Sequence, residues 1–203
     1  MNYIALDCTS DALCIVGRKR DRLVNRVCNE SKMQHSVLCM EQIESVLQEL
    51  DLTIEECDFV CGVTGAGSFT GIRVGLATVL GFAVAAKKAT VGITTFQMLA
   101  SMQKGRFLTV VDAGKGQFYL CGFQDERVVI PPKHCTLAEL ELLAKAYTVY
   151  SFTALPVEHR LLDRAECLEA AIQKAIASGI ANYPLVAFYV KKSQAEEKLL
   201  LER

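Results

Sequence analysis

The sequence predicts an α/β protein built from two copies of one strand-rich unit. Three observations predict it. The apolar run Ile4-Ala5-Leu6 ends in Asp7, and the run Phe107-Leu108-Thr109-Val110-Val111 ends in Asp112. Ten residues after each aspartate stands a glycine, Gly17 or Gly122, that closes a second apolar strand and leads into a charged turn and a third strand. Between the copies, stretches of helical and of strand periodicity alternate, as they do when helices cross between strands of one sheet.

Each element follows from local pattern. Residues 3–8 read as the first strand, with Thr9-Ser10-Asp11 as a turn. Residues 12–17 form the second strand, 18–22 a charged turn and 23–28 the third strand. Over 34–50, Val37, Met40, Ile43, Val46, Leu47 and Leu50 recur at three- and four-residue steps, an amphipathic helix with Ser31 or Ser36 at its start. Residues 53–56 make a short helical turn, and 59–63 the next strand. Residues 70–87 form a helix that is apolar almost all round and carries a small-residue stripe, Ala77, Gly81 and Ala85. Glycine inside a helix costs up to ~1 kcal/mol against alanine, so the stripe suits a fully buried helix or a face that another backbone approaches. A strand over 90–93 follows, then a helix capped by Thr94-Thr95 and running to Met102.

Gln103-Lys104-Gly105-Arg106 marks the boundary between an N-terminal lobe, residues 1–103, and a smaller C-terminal lobe, residues 104–203. After its meander, the second lobe reads as a helix over 136–146, a strand over 147–152 and a helix over 163–178 closed by Gly179. A brief strand over 187–190 and a charged tail of helical propensity complete it. Two meanders, each with an aspartate after its first strand, point to an actin-like (ASKHA, hexokinase/Hsp70-type) fold. That fold is a pair of duplicated ribonuclease H-like domains, here with the second one reduced.

Composition narrows the classes of function. With 51% hydrophobic and 22% charged residues, the chain of 203 residues is globular and long enough for a substantial core. A net charge of −1 argues against a free-standing nucleic-acid binder, whose footprint is basic. The nine cysteines are odd in number and irregularly spaced, and most lie within apolar runs, so they read as reduced core residues. The three histidines are scattered and no metal site is expected. Asp7 interrupts the first apolar run and no charged segment precedes it, so a signal peptide is not expected. The uncharged run 74–86 is too short to span a bilayer, and the expectation is a soluble cytoplasmic protein.

The stretch Gly65-Ala66-Gly67-Ser68-Phe69-Thr70-Gly71-Ile72-Arg73 joins a strand to the long apolar helix. Its glycines admit positive φ and close approach, and Ser68 or Thr70 can cap the helix. Such a helix start suits an anion, with Arg73 adding a charged fork. A tight turn that lets helix and strand pack closely explains the same residues equally well. The stretch lacks the lysine of the Walker pattern, and its third glycine falls one residue late for the Rossmann pattern.

This motif resembles the G-P-G-S-F-T-G-x-R-x-G motif of the TsaB (YeaZ) family, with Ala66 in place of the proline. The opening Ile4-Ala5-Leu6-Asp7-Cys8-Thr9-Ser10, His35, Val91-Gly92-Ile93-Thr94-Thr95 and Ala187-Phe188-Tyr189-Val190-Lys191 extend the resemblance. It covers most of residues 1–120 and thins beyond. The resemblance implies the actin-like fold, and in active members of that superfamily the aspartates corresponding to Asp7 and Asp112 handle Mg²⁺ and water beside nucleotide phosphates. Here an Asx turn at its strand end is the stronger reading of each aspartate. The stretch 147–154, where active members carry a glycine-rich loop, has no glycine. Thr95 and Leu99 stand where the paralogous TsaD carries an H-x-x-x-H metal pair.

The resemblance therefore implies an inactive paralogue of TsaD, with no catalytic residue, metal or cofactor of its own. ATP at a complex interface stays open. The implied role is a scaffold that pairs with TsaD, and with the ATPase TsaE, in threonylcarbamoylation of adenosine 37 in tRNAs reading ANN codons. The implied contact uses the helices over 34–50 and 70–87, with Leu38, Met40, Ile43, Leu47, Ile72, Leu76, Val79 and Leu80 as candidates. Alone, the same patch would form a homodimer, and tRNA would be met only within the complex. A small actin-fold ATPase or kinase using Asp7 and Asp112 is the alternative, and a metallopeptidase a more remote one.

Overall fold

The computed structural model describes residues 1–29 and 35–191, and for residues 35–37 the backbone alone. Ser31, the Ser36 side chain and the tail from residue 192 lie outside the described residues. The first sheet contains β1 (Tyr3–Asp7), β2 (Leu13–Lys19), β3 (Arg22–Cys28), β4 (Phe59–Gly65) and β5 (Ala89–Thr94), in the order β3-β2-β1-β4-β5. The second contains β6 (Arg106–Gly114), β7 (Gln117–Gln124), β8 (Arg127–Thr136), β9 (Thr148–Ser151) and β10 (Arg160–Leu161), in the order β10-β9-β6-β7-β8. Read from the other edge, the second order repeats the first. In each, a three-stranded antiparallel meander is extended by two parallel strands. The fold is α/β and actin-like, as the aspartate and glycine spacing predicts.

Helices complete the copies unequally. In the first, α1 (His35–Leu50) leads from β3 to β4, α2 (Phe69–Ala86) from β4 to β5, and α3 (Thr95–Ala100) follows β5. In the second, α4 (Leu137–Ala144) leads from β8 to β9, and α5 (Arg164–Ser178) follows β10. Residues 152–159 join β9 to β10 where the first copy carries α2, so the second copy is reduced at this step.

Strand alternation decides which residues meet which layer. Ile4, Leu6, Leu13 and Ile15 point to one face of the first sheet and pack with Cys39, Ile43, Val46 and Leu50 of α1 and Val79 of α2. Tyr3, Ala5, Cys14 and Val16 point to the other and meet Met98 of α3 and Ala165, Leu168, Ala171 and Ile172 of α5. Thus α5, from the second half of the sequence, seals the first sheet. Polar contacts fix it there: Arg18 Nε donates to Glu169 Oε1 at 3.1 Å, and Gln173 Nε2 donates to Glu169 at 2.9 Å and to the Tyr3 hydroxyl at 3.2 Å.

Three local expectations change. The basic turn is shorter than expected: Arg18 and Lys19 end β2, Arg22 begins β3, and Arg20-Asp21 alone make the turn. Lys19 and Arg22 pair across a two-residue loop, with Arg20 at φ 56°. Two of its cations are ion-paired, Arg18 with Glu169 and Lys19 with Asp51 and Glu56, and Arg26 of β3 pairs with Glu49. Residues 187–190 form no strand; the segment crosses the sheet rather than running beside a strand, and the Phe188 N–H donates to the Thr64 carbonyl at 2.8 Å. Finally, α2 is longer than the uncharged run inside it and passes a length-and-composition test for a membrane span. Its Ile72, Leu76, Val79 and Ala83 are nevertheless buried, with most of its packing on β4 of the first sheet.

Candidate functional site

The loops leaving β1, β4, β6 and β9 open on a cleft of about 700 Å³ between the two sheets. Ser10, Ser68, Asp112, Tyr119, Phe152 and Arg164 are among its walls.

Asp7, at the end of β1, lies fully buried behind this cleft. Its Oδ1 accepts the Thr9 N–H at 2.8 Å and the Thr9 hydroxyl at 2.6 Å. Its Oδ2 accepts Nη1 of Arg164 in a buried ion pair. Arg164 is the first residue of α5, whose N-cap Asp163 accepts the Glu166 N–H. The guanidinium also lies over the Phe152 ring, 4.4 Å from its centroid. Both Asp7 oxygens are thus engaged by the protein itself. Asp112 is exposed on the opposite wall, where its Oδ1 accepts the Gly114 N–H at 2.7 Å. The two aspartates share an Asx-type bond to the amide two residues on, but the cleft receives Asp112 and not Asp7. Among the described residues, no three His, Cys, Asp or Glu side chains gather as a metal site.

The glycine-rich turn meets the loop after β1. A Cβ on Gly67 would stand 2.1 Å from the Thr9 carbonyl oxygen, and one on Gly71 would stand 1.9 Å from that of Cys8. The missing side chains let the Ser68 N–H donate to Thr9 at 2.7 Å. Ser68 is the N-cap of α2, its hydroxyl accepting the Gly71 N–H, while Thr70 is exposed on the helix. Gly65 ends β4 at φ 119°, and the Gly65–Ala66 peptide is cis. Thr95 braces the turn, donating to the Ala66 carbonyl at 2.6 Å, and Leu99 is buried in the core. The Arg73 guanidinium lies over Phe69, and its Nε donates to the Tyr189 hydroxyl at 3.4 Å.

The helical candidates separate by face. Ile43, Ile72, Leu76 and Val79 are buried, while Leu38 and Leu47 pack half-buried against α1's core side. Met40 is 50% exposed and Leu80 46% exposed. Along α2, Arg73, Ala77, Leu80, Gly81, Val84 and Ala85 form the exposed side, with Val84 77% exposed.

The cysteines carry no disulfide, and eight of the nine are buried. Burial pushes Cys14 and Cys61 far above the ordinary thiol range, Cys57 to about 11, and Cys121 and Cys167 to about 12. Such thiols are inert at neutral pH.

Residues 27–194 match the family model described as TsaD, tRNA N6-adenosine threonylcarbamoyltransferase. The chain belongs to this family. Within the TsaD family it is similar to proteins named "tRNA threonylcarbamoyladenosine biosynthesis protein TsaB", which supports the TsaB (YeaZ) resemblance. The protein of Bacillus subtilis is 25% identical over 151 residues, covering 70% of this chain and 66% of the relative. That of Escherichia coli is 26% identical, covering 61% and 55%, and that of Buchnera aphidicola is 26% identical, covering 57% and 57%. The matches span just over half to two thirds of these relatives' length. Two solved structures share the fold: YeaZ from Pseudomonas aeruginosa (TM-score 0.74) and a protein of the same organism with similarity to peptidase YEAZ (TM-score 0.75). Each is 19% identical, and each aligns over more than nine tenths of both chains.

Arg164 escapes sequence reasoning. It stands 157 residues from Asp7, and the only local signal is an Asp-Arg pair opening a helix. Phe152 and Tyr189 were equally unmarked as cleft or turn contacts.

Proposed function

We propose that this chain is a non-catalytic subunit in the threonylcarbamoylation of adenosine 37 of tRNA, a cytoplasmic scaffold for a TsaD-type catalytic partner assisted by TsaE. The names of its relatives supply the pathway. The observation that carries the non-catalytic half is the Asp7–Arg164 pair. A carboxylate that must hold a hydrated metal needs open oxygens facing the ligand. Here both oxygens are bonded within the protein, and an arginine stands between the carboxylate and the cleft.

The partner would dock on the exposed side of α2. Leu80 and Val84 present apolar surface, and Ala77, Gly81 and Ala85 let another helix come close. Met40, the exposed large apolar residue of α1, is a separate candidate. Ile43, Ile72, Leu76 and Val79 support it from beneath, since their side chains are spent on the core.

Size-exclusion chromatography with light scattering, on the chain alone and mixed with TsaD of the same organism, tests this. The expected outcome is a homodimer alone and a heterodimer on mixing. Val84→Glu should abolish both while leaving the thermal unfolding midpoint nearly unchanged, because exposed substitutions typically stay within ~0.5 kcal/mol. A Val84→Glu chain that still assembles would contradict the assignment of this face.

A further inference from the structure

Cys8 and Cys39 meet where β1, α1 and α2 come together. Cys8 directly follows β1, and Cys39 stands in the second turn of α1, one residue before the exposed Met40. Both are buried in the cluster that α1 and α2 build on the first sheet. A Cβ on Gly75 of α2 would stand 3.4 Å from the Cys8 Cβ and 3.6 Å from its Sγ, so α2 closes one side of this thiol. The Cys8 and Cys39 thiols share a hydrogen bond. Cys39 also touches the hydroxyl of Thr78 on α2, which donates to the Val74 carbonyl at 2.9 Å. Other buried thiols are bonded differently. Cys57 donates to the Thr53 carbonyl at 3.5 Å and Cys121 to that of Ile130 at 3.4 Å, each a contact with main chain.

This contact gives the two sulfurs different roles. The shared hydrogen bond, with burial added, holds Cys8 as the thiol, and the same bond lowers Cys39 below its ordinary range. Cys39 is therefore the sulfur that ionises first, and the thiolate is the nucleophile. The first turn of α1 carries no acidic residue to complement the helix dipole. Helix ends open at low free energy, and opening of that turn gives a small oxidant a route to Cys39.

We propose that Cys8 and Cys39 are a redox pair, converted by a peroxide to a disulfide that ties α1 to the end of β1. The Cys39 thiolate attacks hydrogen peroxide, the O–O bond breaks, and a sulfenic acid forms as the first water leaves. The Cys8 sulfur then attacks the Cys39 sulfur. The S–S bond forms, the S–O bond breaks, and a second water carries off the Cys8 proton. Two thiols have then lost two electrons and two protons to one peroxide. A small thiol such as glutathione reverses the step by exchange. Disulfides of this transient kind are the ones found in reducing compartments. The bond closes a loop over β2 and β3, which restricts the unfolded chain. It is a property of the chain alone, and its test does not depend on which partner covers α2.

The test treats the full-length folded chain with hydrogen peroxide, blocks the remaining thiols with N-ethylmaleimide, and maps disulfides by mass spectrometry. The expected product is a Cys8–Cys39 disulfide that glutathione removes. Its formation should raise the urea midpoint, and in Cys39→Ser peroxide should leave the midpoint where it was. Three results would overturn the proposal: both thiols still free after peroxide, a disulfide that joins a different pair, or Cys39 driven to sulfinic acid without bonding to Cys8. Mapping on the unsubstituted chain decides among these even if Cys39→Ser fails to fold.

Discussion

At the scale of single residues, the Asp7–Arg164 pair sets both stability and chemistry. Removing one partner of a buried pair typically costs ~3–5 kcal/mol, because the other charge is left uncompensated. Arg164→Leu should therefore lower the urea midpoint sharply. The double variant Asp7→Asn with Arg164→Leu should recover a substantial part of the loss, which a double-mutant cycle by equilibrium denaturation would measure.

A second residue-scale effect concerns pH. Burial, reinforced by the bond to Glu169, raises the Tyr3 phenol above its ordinary range. The unfolded phenol ionises near ~10, so the folded chain keeps a proton that the unfolded chain has lost. This contribution is complete below that pH and is lost as pH rises through the folded value. Urea midpoints should fall as pH rises above about 10, and Tyr3→Phe should flatten the fall. Asp7 was legible in the sequence as an aspartate closing a strand. Its partner was not, because chain distance hides a contact that only the docking of α5 creates.

Among the elements, α2 decides the argument. Its length, cap and small-residue stripe follow from local sequence. Its orientation does not, because a helix apolar almost all round has no periodicity to show which side meets the sheet. Gly81 is the informative position: it lies on the exposed side, and a Cβ there meets nothing within 4 Å. Gly81→Ala should stabilise the isolated chain by up to ~1 kcal/mol, since alanine is the better helix residue. It should weaken assembly if a partner backbone lies close, a split that thermal melts and light scattering would separate. Gly71→Ala should act oppositely, costing ~1–3 kcal/mol as its methyl meets the Cys8 carbonyl. The misreading of 187–190 has a related cause: β-branched and aromatic residues mark an extended segment but do not say whether a strand pairs with it.

For the whole molecule, duplication was the most legible feature. Asp7 with Gly17 and Asp112 with Gly122 announce two meanders, and the strand orders repeat accordingly. The crossing of α5 onto the first sheet was not legible, because an amphipathic helix carries no record of which sheet it covers. That crossing places Arg164 on Asp7 and the Tyr3–Glu169 contact beneath it, and so shapes the cleft between the halves. A chain organised this way is expected to work through its surface rather than through its cleft.

The most direct measurement is tRNA threonylcarbamoylation reconstituted with TsaD, TsaE and this chain, comparing Asp112→Asn with Val84→Glu. Asp112 is the one aspartate of the pair that faces the cleft, and Val84 is the most exposed apolar residue of α2. The account predicts a normal rate with Asp112→Asn and little or none with Val84→Glu. Loss of turnover in an Asp112→Asn complex that still assembles would place catalysis in this chain and contradict it.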